Sequence, residues 1–309
     1  MKFNIDFLKN RMFFFAASSL LIIGIILSSV FMGVDLDIEF KGGAIITYSY
    51  EQKPDMAKLE NDVETVLGGK VTVQESVNAI DNQNNIVISF ADSISPEKQN
   101  ELTQKLTTEF EESNIVLGPI KNVDASIGAD FFSKAMVAIG FAFILMIIYI
   151  AIRFKKIGGW SAGVFAIVAL LHDMLFIFGT FVVFRIPLDG NFVAVVLTIL
   201  GYSVNDAIVI YDRIRENKGL SPRTPIYDLV NKSMNETLTR SLFTQLATLI
   251  AMVVVMVVSL FFGITSIITF AVPMVVGMLS GCYTTLFVTC PLWVMWQERK
   301  LKAHKKKKA

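Results

Sequence analysis

Six long apolar runs constrain the possible folds of this sequence more than any other feature. At about 18 residues or more, each run is long enough for an α-helix to cross roughly 30 Å of hydrocarbon. The runs lie at Met12 to Gly33, Ala135 to Ile152, Trp160 to Phe184, Phe192 to Ile210, Leu242 to Phe262 and Ile264 to Trp296. Hydrophobic residues make up 53% of the chain, which agrees with this interpretation. The sequence therefore predicts a polytopic α-helical membrane protein with six transmembrane helices.

The first run follows three basic residues, Lys2, Lys9 and Arg11, as the apolar core of a secretory signal peptide would. Its core is longer than that of a signal peptide, and no cleavage site of the A-x-A type follows it. We therefore interpret this run as an uncleaved membrane anchor.

Charge is strongly partitioned along the chain and predicts its orientation. The segment 35–132 holds 18 acidic residues and 7 lysines but no arginine, a net charge of −11. Basic clusters occur at alternate ends of the six runs, at Lys2 to Arg11, Arg153 to Lys156, Arg213 to Arg223 and Arg299 to Lys308. Because positive residues favour the cytoplasmic side, we expect both termini in the cytoplasm and the acidic segment outside. The predicted units are 1–34 with the first helix, 35–132 as an outer domain, 133–296 as the remaining bundle and 297–309 as a basic tail.

The outer segment alternates between strand and helix periods. Strands are predicted at Ala44 to Tyr50, Val71 to Val77, Ile86 to Phe90 and Ile115 to Val123, with helices at Met56 to Leu67 and Pro96 to Glu112. The order is β-α-β-β-α-β, which predicts an α+β ferredoxin-like extracytoplasmic domain between helices 1 and 2.

A carboxylate inside the fourth run is the main functional signal. Asp206 lies in GYSVNDAIVIYDRIREN, seven residues before Arg213 and therefore about 10 Å inside the membrane. A charged Asp there costs about 2.5 to 3.5 kcal/mol on insertion scales, so we expect it to face protein or a water-filled cavity. Such residues usually mark ion paths. The alternative is a polar contact that only holds helices together.

Polar neighbours surround Asp206 in the sequence. Tyr202 and Asn205 fall on one broad helical face with it. In the fifth run, Arg240 is followed by Thr244 and Thr248 at intervals of four. We expect the long side chain of Arg240 to reach Asp206 and form a switchable ion pair. Alternatively, Arg240 follows only the general bias for positive residues on the cytoplasmic side.

The third and sixth runs carry further candidates. His172 and Asp173 lie in the third run, with Asp173 about 21 Å beyond Gly159 and at a different depth from Asp206. Two carboxylates at staggered depths could hand protons along bound water. Alternatively, His172 could simply bond a neighbouring carbonyl and Asp173 could simply pair with His172. Gly277 and Gly281 are four apart in the sixth run, which favours close helix packing without chemistry.

Enzyme signatures are missing from the sequence. It contains no H-E-x-x-H, no G-x-S-x-G and no P-loop, and the two intramembrane Asp lack the Gly-x-Gly-Asp context of an aspartyl protease. We therefore predict a non-enzymatic protein without metal, organic cofactor or nucleic-acid partner.

Several stretches carry a resemblance that covers nearly the whole chain. They are DIEFKGGAII after the first run, LLHD in the third, GYSVNDAIVIYDRIREN in the fourth, NKSMNETLTRS (231–241) at the entry to the fifth and GMLSGCYTTLF in the sixth. Together they resemble the SecF family, the smaller membrane subunits of bacterial SecD-SecF protein-export complexes, within the resistance-nodulation-division superfamily. The chain departs from the family pattern at Glu39, where Asp is usual, at Ser241 and Cys282, where Thr is common, and at Pro273.

The resemblance implies an auxiliary subunit of the Sec translocase in the bacterial cytoplasmic membrane. Protons would be the coupling ion, Asp206 the relay carboxylate and Arg240 its partner. Implied partners are SecD, the SecY channel complex and the translocating unfolded preprotein, while anionic lipid would contact the basic cytoplasmic ends. Two alternatives stay open: a superfamily exporter of lipid or small molecules, and a passive membrane assembly scaffold.

Overall fold

The chain starts in the helical bundle and leaves it once to form a small sheet unit. The structure is a computed structural model that describes residues 5–77, 83–262 and 264–308. Lys2 and the side chains of Lys305 to Lys308, which belong to the predicted basic clusters, lie outside the described residues. The first long helix is α1 (Arg11–Met32), which covers the first predicted apolar run.

The sheet unit follows α1 directly. Its elements are α2 (Ile38–Lys41), β1 (Gly43–Tyr50), α3 (Met56–Leu67), β2 (Val71–Val77), β3 (Asn84–Phe90), α4 (Pro96–Glu109) and β4 (Val116–Val123). The strands form one antiparallel sheet in the order β2-β3-β1-β4. Ser95 caps α4, with Pro96 in its first turn. The helices cover one face of the sheet, where Tyr48, Leu59 and Leu102 are fully buried.

The remaining helices complete the bundle. They are α5 (Ala125–Arg153), α6 (Gly159–Val183), α7 (Gly190–Leu220), α8 (Ile226–Phe261), α9 (Thr265–Thr284) and α10 (Cys290–Lys308). A π-helical segment, Thr285–Thr289, joins α9 to α10, so that Ile267–Ala303 acts as one span. Within the described residues, six helices are long and apolar enough to cross a membrane, as predicted.

The bundle is built around α6 and α7. Burial covers 56% of the most apolar stretch of α6 and 50% of that of α7, but only 6% for α1 and 11% for α8. Since α6 carries Asp173 and α7 carries Asp206, both carboxylates belong to the most buried helices.

The segment DIEFKGG (residues 37–43) connects the sheet unit to the bundle through several close contacts. Gly42 and Gly43 have φ values of 82° and 127°, and Gly42 packs so closely on Ala125 that a side chain would collide with the start of α5. Glu39 accepts a hydrogen bond from the backbone N of Gly190 at 2.9 Å, at the first residue of α7. Asp37 N also donates to Leu188 O at 2.9 Å. The sheet unit is therefore tied to the beginning of the helix that carries Asp206.

Candidate functional site

Asp206 lies between α7 and α8 and keeps 7% of its surface exposed. Gln245 on α8 donates a hydrogen bond from Nε2 to Oδ2 of the carboxyl group. Ser241, one turn earlier on α8, also faces this carboxyl, but its Oγ has no hydrogen bond of good geometry among the described residues. Asp206 is thus enclosed by neutral polar groups from the neighbouring helix.

The predicted pairing of Arg240 with Asp206 is not formed in this structure. Arg240 is exposed, and the described residues contain no ion pair between them within 4.0 Å. The reason is angular: successive residues of an α-helix are rotated by about 100°. Ser241 and Gln245 therefore face α7, whereas Arg240 and Thr244 form the adjacent, exposed stripe, with Thr248 half-buried below them.

The broad polar face predicted on α7 is divided in the same way. Asp206 is buried, Tyr202 is half-buried and Asn205 is exposed on the outside of the helix. The Tyr202 hydroxyl donates to the carbonyl oxygen of Thr244 at 3.4 Å, which ties α7 to α8 beside Asp206. Tyr202, Thr244 and Thr248 therefore lie near Asp206, while Asn205 points away from it.

Asp173 is completely buried and held by three hydroxyl groups. Ser203 on α7 donates to Oδ2 at 2.8 Å, while Ser280 and Thr284 on α9 donate to Oδ1 at 2.7 and 2.8 Å. Three donors can satisfy a carboxylate without a cation. Asp173 therefore joins α6, α7 and α9 at one point.

His172, next to Asp173, is 4% exposed. Its Nδ1 lies 3.8 Å from Asp173 Oδ1, which is too long for a hydrogen bond. Neither ring nitrogen has a hydrogen-bond partner among the described residues, and the ring stacks on Phe176 at 4.5 Å. His172 therefore neither bonds a neighbouring carbonyl nor forms a hydrogen bond with Asp173 among the described residues; three hydroxyl groups occupy the carboxylate instead.

The two glycines of the sixth span make space around these groups. A Cβ at Gly277 would lie 2.8 Å from Ile199 Cγ1 on α7. At Gly281 it would lie 3.3 Å from Ser203 Oγ and 3.6 Å from Asp173 Oδ2. Gly277 therefore permits close helix packing, and Gly281 in addition leaves room for the hydrogen bond between Ser203 and Asp173.

The two carboxyl groups lie closer in depth than counting from helix ends indicates. Ser203, which contacts Asp173, precedes Asp206 by three residues on α7, or about 4.5 Å along the helix axis. The counts of 21 Å and 10 Å took Gly159 and Arg213 as membrane boundaries, but α7 continues to Leu220. The carboxyl groups are therefore separated by about one helical turn.

Sequence reasoning gave no specific role to four of the groups that contact the two carboxylates. They are Ser203, Gln245, Ser280 and Thr284. Ser280 and Thr284 are spaced by four beside Gly277 and Gly281, a small and polar stripe that could have indicated an inward face. Gln245 stands four residues after Ser241, which gave a similar signal. Within the described residues, no group of three His, Cys, Asp or Glu could hold a metal ion.

Comparisons with known proteins agree with this architecture. The family described as "Protein export membrane protein SecD/SecF, C-terminal" matches residues 102–299. The chain is 31% identical to the protein translocase subunit SecF of Petrotoga mobilis over 238 residues, which are 75% of this chain and 78% of that protein. It is 30% identical to the SecF of Alicyclobacillus acidocaldarius, over 98% of this chain and 96% of that protein.

Longer proteins match as well. The protein translocase subunit SecDF of Bacillus subtilis is 34% identical over 96% of this chain but only 39% of its own length. A crystal structure of SecDF from Thermus thermophilus, described as a translocon-associated membrane protein, superposes with a TM-score of 0.77 and 28% identity. That likeness covers 96% of this chain and 39% of the SecDF chain. The fold, the buried polar centre and these matches together show that the chain belongs to the SecD/SecF family of protein-export membrane proteins.

Proposed function

We propose that this chain is an auxiliary subunit of the Sec translocase that couples proton movement through Asp206 to protein export across the bacterial cytoplasmic membrane. The observation that carries the proposal is the environment of Asp206. This carboxyl group is almost fully enclosed within the bundle, yet it receives only one hydrogen bond among the described residues, from Gln245.

Gln245 is suited to both protonation states of Asp206. Its amide N–H donates to the carboxylate, while its Oε1 is buried and has no hydrogen-bond partner among the described residues. A protonated carboxyl group gains an O–H donor, and after a rotation of the amide Gln245 Oε1 can accept a hydrogen bond from that O–H. Both states of Asp206 thus have a partner on α8, which supports a reversible relay.

Arg240 is proposed as a second, conditional partner. Its exposed side chain lies on the stripe adjacent to Gln245, without an ion pair among the described residues. A rotation of α8 by about 100° would exchange one stripe for the other beside α7. Arg240 would then compensate an ionised Asp206, and Tyr202, Thr244 and Thr248 would line the polar path. His172 and Asp173 are proposed to hold the helices around that path, with Asn205 on the outer face.

The longer SecDF relatives suggest which proteins this chain assembles with. This chain corresponds to 41% and 39% of two SecDF structures, so we propose a SecD partner that corresponds to the rest of those chains. The SecY channel complex and the unfolded preprotein complete the assembly. Both termini are proposed to be cytoplasmic, with the sheet unit outside as a ferredoxin-like domain that acts on the emerging preprotein, and the basic ends against anionic lipid.

The membrane potential supplies enough free energy to couple proton movement to protein export. One elementary charge that crosses 100 mV releases about 2.3 kcal/mol, which corresponds to about a 50-fold change in an equilibrium. Loss of one relay carboxyl group should therefore remove a stimulation of up to about that size.

The test compares Asp206→Asn with Asp212→Asn. Asparagine keeps the shape of each side chain but cannot titrate, and Asp212 is a half-exposed carboxylate on the same helix. Export of a secretory reporter into inverted membrane vesicles is measured with and without an imposed proton gradient, together with co-purification of SecD. Asp206→Asn should abolish stimulation by the gradient while SecD still co-purifies, and Asp212→Asn should keep both. Full stimulation in Asp206→Asn would support the scaffold instead, and gradient-driven flux of lipid or a small solute would support the exporter.

A further inference from the structure

A cavity of about 530 Å³ opens at the basic end of the bundle, far from the sheet unit. It lies where α5 ends, α6 begins and α10 passes. The residues that define its character are Lys155, Trp160, Val164, Phe165, Trp296 and Lys300. None of them takes part in the centre around Asp206 and Asp173.

The rim of this cavity is positive. Lys155 and Lys300 are both exposed, and neither ammonium group pairs with a carboxylate within the described part of the chain. Two other cations at the same end, Arg153 and Arg215, share one carboxylate, Asp212, at 3.1 and 2.6 Å. The two cavity lysines therefore concentrate uncompensated charge at one place.

The start of α6 adds to this positive potential. Its N-cap, Gly158, provides no side-chain capping bond. The nearby Ser161 hydroxyl is already used, because it donates to Gly158 O at 2.7 Å and accepts from Trp293 Nε1 at 3.1 Å. The first turn of a 25-residue helix thus faces the cavity with its partial positive charge uncompensated by a side chain.

The walls of the cavity are apolar and aromatic. Trp160 is 69% exposed, Trp296 is 50% exposed and Val164 is 50% exposed. The Phe165 and Trp296 rings pack at 6.2 Å and form a continuous wall. Tryptophan is typical of the membrane-water boundary, so the cavity lies at the level of lipid headgroups with its apolar side along the hydrocarbon.

A positive rim above an apolar wall matches one ligand chemistry, an amphipathic anion. We propose that the cavity binds one acidic phospholipid, with its phosphate group at Lys155 and Lys300 and the first part of an acyl chain against Trp160, Val164, Phe165 and Trp296. A soluble phosphate ester would meet the lysines but leave the apolar wall uncovered. The bound lipid would join the turn between α5 and α6 to α10.

The test uses the tryptophans of the site as reporters. The full chain is reconstituted into phosphatidylcholine vesicles that contain a small fraction of lipid with brominated acyl chains, which quench tryptophan fluorescence on contact. The brominated lipid is either phosphatidylglycerol or phosphatidylcholine. Trp160 and Trp296 are open to lipid, while Trp293 is fully buried and supplies a constant background. We expect brominated phosphatidylglycerol to quench at lower fractions, by about 5-fold for each lysine engaged.

The double variant Lys155→Gln/Lys300→Gln should abolish this preference, and Lys155→Arg/Lys300→Arg should restore most of it. The matched control is Lys156→Gln/Lys302→Gln, which removes the same charge from the same end outside the cavity lining and should keep the preference. Equal losses in the two glutamine variants would overturn the proposal in favour of diffuse surface charge. Equal quenching by both lipids in the unmodified chain would also overturn it, as would relief of quenching by millimolar glycerol 3-phosphate.

Discussion

Asp173 and Asp206 are both carboxyl groups buried in the centre of the same bundle, but their surroundings differ. Asp173 has no exposed surface and receives three hydroxyl hydrogen bonds from two helices. Asp206 keeps 7% of its surface exposed and, within the described part of the chain, receives one hydrogen bond, from Gln245. A fully satisfied group resists any change of state, whereas a partly satisfied one can exchange partners or protons. We therefore expect the number of hydrogen-bond donors, rather than burial alone, to distinguish a proton-relay carboxyl group from a structural one.

Removal of each carboxyl group gives the largest expected contrast. Asp173→Ala leaves Ser203, Ser280 and Thr284 without their acceptor, so we expect a loss of about 4 kcal/mol in the free energy of unfolding. Asp206→Ala removes one hydrogen bond and should cost about 1 kcal/mol. Unfolding of the detergent-solubilised chain, followed by circular dichroism, measures both. Similar losses for the two variants would remove the proposed distinction between them.

Substitution of Gln245 tests whether its hydrogen bond to Asp206 contributes to the proposed proton relay. Gln245→Leu removes the donor to Asp206 and should lower gradient-stimulated export by about tenfold, as expected for a hydrogen bond to a charged group. Leu246→Ala is the control, because it changes an exposed side chain next to Gln245 on the same helix; export should stay unchanged. In combination with Asp206→Asn, the Gln245→Leu change should have no additional effect, and additive losses would argue against a shared role.

Gly281 tests the space around Asp173. In Gly281→Ala the new Cβ would press on Ser203 Oγ at 3.3 Å, and we expect a loss of about 1 kcal/mol in unfolding free energy. Gly201→Ala is the control, since no atom lies within 4 Å of a Cβ there. That change should be neutral or stabilising by up to about 1 kcal/mol, because alanine favours helix. A neutral Gly281→Ala would show that the Asp173 centre is loosely packed.

The smallest expected effect concerns Asp62, a carboxyl group of the sheet unit. It is a partly exposed counterpart to the two carboxyl groups in the bundle. Burial acts to raise the pKa of Asp62, but the hydrogen bond from Lys105, the interaction with Glu109 and the charges of Lys105 and Lys58 bring the pKa below its ordinary value of 3.8. Because the folded pKa is the lower one, this stabilisation is present above about pH 4 and is lost as the pH falls through the folded pKa. We expect less than about 1 kcal/mol, since the pair is partly exposed.

Lys105→Gln should flatten this acid dependence of unfolding, and Lys70→Gln, an exposed lysine of the same unit, should leave it unchanged. Acid unfolding of the full chain, followed by a probe on the sheet unit, measures the difference. An unchanged acid dependence in Lys105→Gln would assign it to other carboxyl groups.

The sequence predicts the elements of this fold well because their signals are local. Apolar runs mark the six spans, and Ser95 with Pro96 marks the start of α4. The helix ends were less predictable, because α7 and α8 extend as polar helices to Leu220 and from Ile226, beyond the apolar runs. An apolar run reports the hydrocarbon thickness rather than the length of the helix.

The site was only partly predictable, because its contacts depend on packing. Ser203, Ser280 and Thr284 lie 30, 107 and 111 residues from Asp173 in sequence, so no local pattern joins them. On α8, the stripe of Arg240 and the stripe of Gln245 have the same helical spacing. Only the position of α7 decides which of them is buried.

The hydrogen bond between Glu39 and Gly190 has a mechanical consequence. Gly190 is the first residue of α7, and Asp206 lies about 24 Å further along the same uninterrupted helix. An axial displacement of α7 at Asp206 would move the sheet unit by nearly the same distance. The reason is that α-helices are stiff along their axis and the sheet unit is attached at the first residue of α7. The Asp206 carboxyl group and the sheet unit are therefore mechanically connected through one segment of α7, from residue 190 to residue 206.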